Sequence, residues 1–197
     1  MFKYLRRFLR KTGLKKPKKS FQEKYPQFQI GRGTHYTPRI YFAKFANLKV
    51  GAFSTFDPTV QIFLGGDHRY DWVTSNAIWN YLPGKACPEG HPKTKGDVTI
   101  GNDAYIATEA VIMSGVTIGD GAVIGARALV SRDIPPYAVA VGNPARVVKK
   151  RFDEETISRL LKIRWWDWDD DRIRKAFPLM MSDDIEAFLV AAEYNNI

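Results

Sequence analysis

From Ile100 onward the sequence advances in blocks of six. It parses into IGNDAY, IATEAV, IMSGVT, IGDGAV, IGARAL and VSRDIP, so Ile or Val opens a block at positions 100, 106, 112, 118, 124 and 130. The fifth place is small or β-branched as well: Ala104, Ala110, Val116, Ala122, Ala128 and Ile134. A period of six matches neither the turn of an α-helix nor the alternation of a strand. It demands a supersecondary unit that itself repeats, and three short strands closing one triangular turn form such a unit, a parallel β-helix. There the opening aliphatic points inward and stacks on its equivalent one turn later at about 4.8 Å, while small fifth-place residues fit the corners. Gly101, Gly119 and Gly125 are expected to ease those corners. A sandwich of ordinary short strands would instead carry its turn signals about every 8 to 12 residues.

The same period recurs upstream as VGAFST, FDPTVQ and IFLGGD from Val50 to Asp67, and more weakly around Ile30, Tyr36 and Phe42. Between the two runs, His68 to Asp97 has no period and carries His68, Trp72, Trp79 and His91. A loop longer than about 15 residues inside a regular scaffold is usually a functional one. After Pro144 the period stops. Asp153 is placed to cap a helix with Ile157, Leu160 and Leu161 on one face; further helices are expected after Asp169 and after Ser182. They are expected to cover the open coil end, whose last layer would otherwise expose apolar side chains and strand edges. The chain therefore divides into a basic arm (1–29), a β-helical domain (30–147) with its loop (68–97), and a helical tail (148–197).

At 197 residues the chain suits one principal domain. Its net charge of +9 suggests an anionic partner: nucleic acid, a membrane surface or a phosphorylated coenzyme. Residues 1–19 interleave Lys and Arg with Phe2, Tyr4, Leu5 and Phe8, which suits a solvated arm or weak contact with anionic lipid. No recognised nucleic-acid-binding module accompanies the arm, so no nucleic acid is expected. The single cysteine, Cys87, excludes an internal disulfide and a cysteine-based metal cluster and suits the reducing cytoplasm. The sequence has neither the apolar run of about 20 residues that spans a bilayer nor a signal-peptide pattern. Walker and dinucleotide fingerprints are absent, as is any metal-ligand spacing, so no metal is expected.

Four segments in order, GGDHRYDWVTS at 65–75, the hexapeptide blocks, VGNPARVVKKRF at 141–152 and IRWWDW at 163–168, resemble the xenobiotic acetyltransferases. That family includes type B chloramphenicol and streptogramin acetyltransferases, and related polysaccharide O-acetyltransferases share its parts. The resemblance runs from about Val50 to Phe188. It implies a mainly β fold, a left-handed parallel β-helix of hexapeptide repeats with an extended loop and a C-terminal α-helical tail. It also implies a homotrimer that binds acetyl-coenzyme A between subunits and completes each site across a boundary. His68 falls at the family's catalytic histidine and would be the general base. The chemistry suits imidazole, which titrates near working pH and can deprotonate an otherwise poorly nucleophilic hydroxyl.

Carry-over from the family points to Thr108, Ala126, Ser131, Arg132, Arg146 and Lys149 for the coenzyme, and Asp71, Trp72 and Trp79 fall on the acceptor side. Asp67, Asp71 and Glu109 are candidates to orient His68. His91 is the rival base but does not align with the catalytic position, and Cys87 has no recognisable basic partner. Several residues depart from the family pattern. The Tyr41–Val50 stretch is short where antibiotic-modifying relatives carry a long excursion, and residues Thr74 to Trp79 replace their STFPF-like segment. Tyr105 and Ala107 stand where many relatives have tryptophan and glycine. The expected activity is acetyl-CoA-dependent O-acetylation of a sugar or polysaccharide precursor. The alternatives are antibiotic O-acetylation, sugar N-acylation, and a noncatalytic β-helical interaction protein.

Overall fold

A computed structural model describes residues 20–194 and 197; residues 1–19, with the lipid contact expected of them, lie outside the described residues. Short strands turn through three sheets to form a left-handed parallel β-helix. The first sheet holds β1 (Gln29–Ile30), β3 (Leu48–Val50), β6 (Val98–Ile100) and β9 (Thr117–Ile118). The second holds β4 (Thr55–Phe56), β7 (Tyr105–Ile106), β10 (Val123–Ile124), β12 (Ala138–Val141) and β13 (Arg146–Lys150), and the third β2 (Arg39–Tyr41), β5 (Gln61–Phe63), β8 (Val111–Ile112) and β11 (Leu129–Val130).

Register shows how the repeat builds the core. Tyr105 pairs with Val123 and Val111 with Leu129, three six-residue blocks or eighteen residues apart. Across the loop Thr55 pairs with Tyr105 and Gln61 with Val111, fifty residues apart. The loop thus adds the difference, thirty-two residues, without moving any inward position. Block-opening residues stack in three columns: Val50, Ile100 and Ile118; Phe56, Ile106 and Ile124; Ile62, Ile112 and Val130. All are at most 2% exposed, and burying one such side chain is worth about 1.5–3 kcal/mol.

Several expectations are corrected. Ile134 is not a fifth-place residue: it bridges Ile118, sixteen residues back, so the last coil is two residues short and Ile134 takes the inward opening position. Gly101 and Gly119 are required by close approach rather than by backbone freedom. A Cβ on Gly101 would lie 2.6 Å from the Asp120 nitrogen, and one on Gly119 would lie 2.4 Å from the Pro136 nitrogen. The left-handed corner conformation falls instead on Phe53, Asp103, Gly121 and Tyr137.

Tyr36 and Phe42 do not belong to the inner column, being 64% and 44% exposed. The first coil is incomplete there, and the short helix α1 (Phe21–Lys24) covers the gap, with Phe21 set edge-on against Phe56 at 5.8 Å. The Ser20–Glu23 capping box fixes the start of that turn.

The helical tail comprises α2 (Glu154–Ile163), α3 (Asp170–Met180) and α4 (Ile185–Glu193). Asp153 and Asp169 cap the first two as expected, but Asp184, not Ser182, caps the third; the Ser182 hydroxyl donates to the Leu179 carbonyl at the end of α3. The tail also runs along a lateral corner of the prism rather than over its open end. Arg32 donates to the Trp168 carbonyl, Phe53 meets Trp165 at 5.0 Å, Arg151 reaches Asp103 at 3.3 Å, and Tyr137 meets Phe152 at 6.0 Å. The corner residues of successive coils, with Phe53 and Tyr137 supplying the aromatic surface, make this flank, and not the end, the docking face. Strand β13 spans the expected 147/148 boundary and pairs antiparallel with β12. Among the described residues no helix is long and apolar enough to cross a membrane.

Candidate active site

The loop leaves the scaffold at the corner between the third and first sheets. Gly66 makes the exit possible: its φ is +94°, and the Phe42 ring occupies the space a Cβ would need, at 2.3 Å. The two ends of the loop are then tied together. Asp67 and Lys93 exchange backbone hydrogen bonds of 3.1 and 2.7 Å, the Thr94 hydroxyl donates to the Leu64 carbonyl, and the Lys95 N–H donates to Ser114 Oγ of the next coil. His68 is the first residue beyond this stem on one side, and His91 lies two residues beyond it on the other.

The exposed His68 ring has its Nδ1 2.6 Å from the Ser75 carbonyl oxygen. A carbonyl only accepts, so Nδ1 carries the proton and Nε2 keeps its lone pair. Asp67, Asp71 and Glu109, the expected orienting groups, do not make this contact. Asp71 is held by Arg69 through two hydrogen bonds of 2.7 and 2.6 Å, which lower its pKa to about 2. Glu109 pairs with Arg127 at 2.7 Å, and Asp67 contributes its backbone to the stem. Beside His68 an open cleft of about 560 Å³ is lined further by Ser75, Asn76, Ala77, Asn80 and Tyr81. Trp72 and Trp79 are not in this lining. Both face His91, stacked at 5.6 Å and edge-on at 4.7 Å, and the His91 ring in turn meets that of His68 at 4.8 Å and 75°. The Cys87 thiol donates to the His91 carbonyl at 3.1 Å rather than to an imidazole nitrogen.

The residues expected to hold the coenzyme, Lys149 apart, lie on both edges of the third sheet. Thr108 and Ala126 occupy equivalent places on successive coils where the second sheet turns into the third, and Arg146 pairs with Val141 at that end of β12. The Thr108 hydroxyl is 3.1 Å from Thr59 Oγ1, which donates to Asp57, so that corner is preset. Ser131 and Arg132 follow β11 on the opposite edge, the one from which the loop departs, and Lys149 lies further along β13, opposite Val139. Thr108, Ala126, Arg132, Arg146 and Lys149 are exposed. Among the described residues no three His, Cys, Asp or Glu side chains are grouped to hold a metal ion.

A family profile described as bacterial transferase hexapeptide (six repeats) matches residues 97–132. Chloramphenicol acetyltransferase of Escherichia coli is 37% identical over 182 residues, which cover 83% of this chain and 87% of that protein. The chain belongs to the xenobiotic acetyltransferase family of hexapeptide-repeat enzymes. It is an acetyltransferase. A probable macrolide acetyltransferase of Lysinibacillus sphaericus is 38% identical over 141 residues, covering 69% of this chain and 78% of its own. Among solved structures, a hexapeptide-repeat-containing acetyltransferase from Vibrio cholerae shares the fold at a TM-score of 0.51 and 22% identity over 66% of each chain. Sequence reasoning about this acetyltransferase missed Ser75, whose backbone orients His68, and it left His91 apart from His68. Side-chain identity carries no trace of a carbonyl contact. The stem that joins positions 67 and 93 is equally invisible without the fold.

Proposed function

We propose that the protein transfers an acetyl group from acetyl-coenzyme A to a hydroxyl of a sugar or polysaccharide precursor, with His68 as general base. The observation that carries this reading is the Nδ1 bond to the Ser75 carbonyl, which leaves the basic Nε2 of an exposed ring beside the cleft. When bound, the coenzyme supplies an activated acetyl thioester. Nε2 accepts the acceptor hydroxyl proton as the oxygen bonds to the acetyl carbon. The same nitrogen returns that proton to the departing sulfur as the C–S bond breaks, so the imidazole ends as it began. Throughout, the Ser75 carbonyl holds the tautomer and stabilises the transient imidazolium.

The donor side fits a phosphorylated coenzyme. Small side chains at Thr108 and Ala126, with Ser131, leave backbone groups accessible, and Arg132, Arg146 and Lys149 supply positive charge for phosphates. Their division between two edges of one sheet supports a homotrimer in which His68 of one subunit meets the donor corner of the next. On the acceptor side, the Asn76 and Asn80 carboxamides can both donate to and accept from sugar hydroxyls, and the Tyr81 ring offers an aromatic face. Trp72 and Trp79 reach the acceptor side through His91, on which both pack, and Asp71 is fixed by Arg69. The site of action is cytoplasmic, with residues 1–19 making weak contact with anionic lipid.

Antibiotic acetylation is the competing reading, favoured by the 37% identity to a chloramphenicol acetyltransferase. The deciding experiment measures thiol release from acetyl-CoA by purified full-length protein with separate saccharide and antibiotic panels. Acceptor-dependent release with saccharides is expected. Turnover confined to chloramphenicol, streptogramins or macrolides would replace this reading, and no release with either panel together with no coenzyme binding would remove the enzymatic one. Light scattering on the same sample should give three times the chain mass.

A further inference from the structure

We infer that His91 is a positioning residue for the transfer reaction: its ring, clamped between Trp72 and Trp79, forms the wall against which the His68 imidazole is held. The inference rests on the reading of His68 as the base. His68 has one hydrogen bond, through Nδ1, and a single bond leaves a ring free to rock about it. The other restraint is the edge-on contact with His91 at 4.8 Å and 75°. His91 is itself fixed on two sides, by Trp72 at 5.6 Å and 29° and by Trp79 at 4.7 Å and 74°. Its carbonyl takes the Cys87 thiol, and Lys93, two residues on, is locked to Asp67. Arg69 lies over the outer Trp72 ring at 5.0 Å while gripped by Asp71. The stem and both tryptophans thus fix His91, and the contacts end on His68.

The chemistry of His91 suits a wall and not a second base. Its Nδ1 is buried without a hydrogen-bond partner, which costs least when that nitrogen is unprotonated. Desolvation first, and then the charges of His68 and Arg69, lower its pKa, so the ring stays neutral beside an imidazole that must become cationic. His68 Nδ1 is meanwhile occupied by Ser75, so His91 does not exchange a proton with His68 through that nitrogen.

The test compares His91→Ala, His91→Phe and His68→Ala. Phenylalanine preserves a flat ring between the tryptophans and forfeits no hydrogen bond at the buried Nδ1 position. Nitrogen-15 spectra of the His68 ring report its tautomer without an acceptor, and kcat and KM are measured with acetyl-CoA and whichever of chloramphenicol or the saccharides turns over faster. His91→Ala should lower kcat about 10- to 100-fold, in the range that a displacement near 1 Å produces, leave KM for acetyl-CoA unchanged, and mix the His68 tautomers. His91→Phe should restore kcat to within about threefold of wild type, together with the single Nδ1–H tautomer. Wild-type kcat in His91→Ala would overturn the inference. So would a His91→Phe enzyme that folds, by its melting curve, yet is as slow as His91→Ala, since the nitrogens would then matter rather than the ring. Wild-type turnover in His68→Ala would instead sink the base reading, an outcome separable from both.

Discussion

The loop and the helical tail both interrupt the period of six, and they attach to the prism in opposite ways. The tail touches one coil after another along a corner and builds its own core from Ile157, Leu160, Trp168, Phe188 and Leu189. Arg159 ties α2 to α4 through Glu186 and Glu193 at 2.8 and 2.7 Å. The loop is fixed only at its stem, and none of residues 68–91 is buried. Its order comes from ring contacts around His91 and from one carbonyl beneath His68. The difference separates two tasks. Burial over many coils serves stability, whereas a short stem bearing an aromatic cluster presents the His68 ring to solvent without a core of its own.

The largest expected effect tests the loop alone. His68→Ala should reduce acetyl transfer about 10²- to 10⁴-fold while the melting temperature stays unchanged, because it removes proton transfer and no buried contact. Steady-state thiol release between pH 6 and 9 beside a thermal melt checks both halves, and a folded variant with wild-type turnover would erase the loop's assigned task. The converse variant is Phe188→Ala, which should destabilise the protein by about 3–5 kcal/mol by opening a cavity in the tail core. Denaturant unfolding gives that number, and kcat per folded molecule should not change. A loss of kcat in native buffer would show that tail and loop are coupled.

A smaller effect belongs to the scaffold edges between them. Replacing Arg132, Arg146 and Lys149 singly by Gln should weaken acetyl-CoA binding, each on the order of 10-fold, with little change in acceptor KM. Calorimetric titration decides, and three unaltered affinities would remove the donor-side assignment. The smallest effect is a pH dependence confined to the loop. Because the folded-state pKa of His91 is lowered, the open loop binds the proton more readily than the ordered one. The ordered loop therefore keeps its full stability above the ordinary imidazole value of about 6.5 and loses part of it as pH falls through that value toward the depressed one. Hydrogen exchange at pH 7.5 and 5.5, corrected for the intrinsic rate, should show protection lost around residues 68–91 and kept in the tail. Equal change in both regions would contradict this sign.

The coil stack was readable because its cause is local and repeated. Each opening aliphatic faces inward whatever happens elsewhere, so Ile100, Ile106 and Ile112 identify three sheets from spacing alone. Ile134 was misplaced because the last coil loses two residues before Pro135 and Pro136, and a rigid period cannot anticipate a shortened turn. The tail helices could be found from Asp153 and Asp169, but their docking face could not. That depends on Arg32, Phe53, Asp103 and Tyr137, which are far apart in sequence and share a corner only after winding. At the candidate site, the place of His68 at the opening of the loop was legible from the sequence. The support around it was not, since Ser75 acts through its backbone and His91 arrives through the pairing of Asp67 with Lys93.

The fifty-residue spacing across the loop, set against eighteen elsewhere, carries a consequence for how such enzymes diversify. The chain leaves and rejoins the prism at neighbouring points, so the span between them can lengthen, shorten or be exchanged while every stacked aliphatic stays in place. Closing a longer excursion is inexpensive, about 0.6 kcal/mol for each doubling of its length. One contiguous cassette can thus be replaced while the rest of the prism is inherited unaltered and the stack is never asked to fold differently.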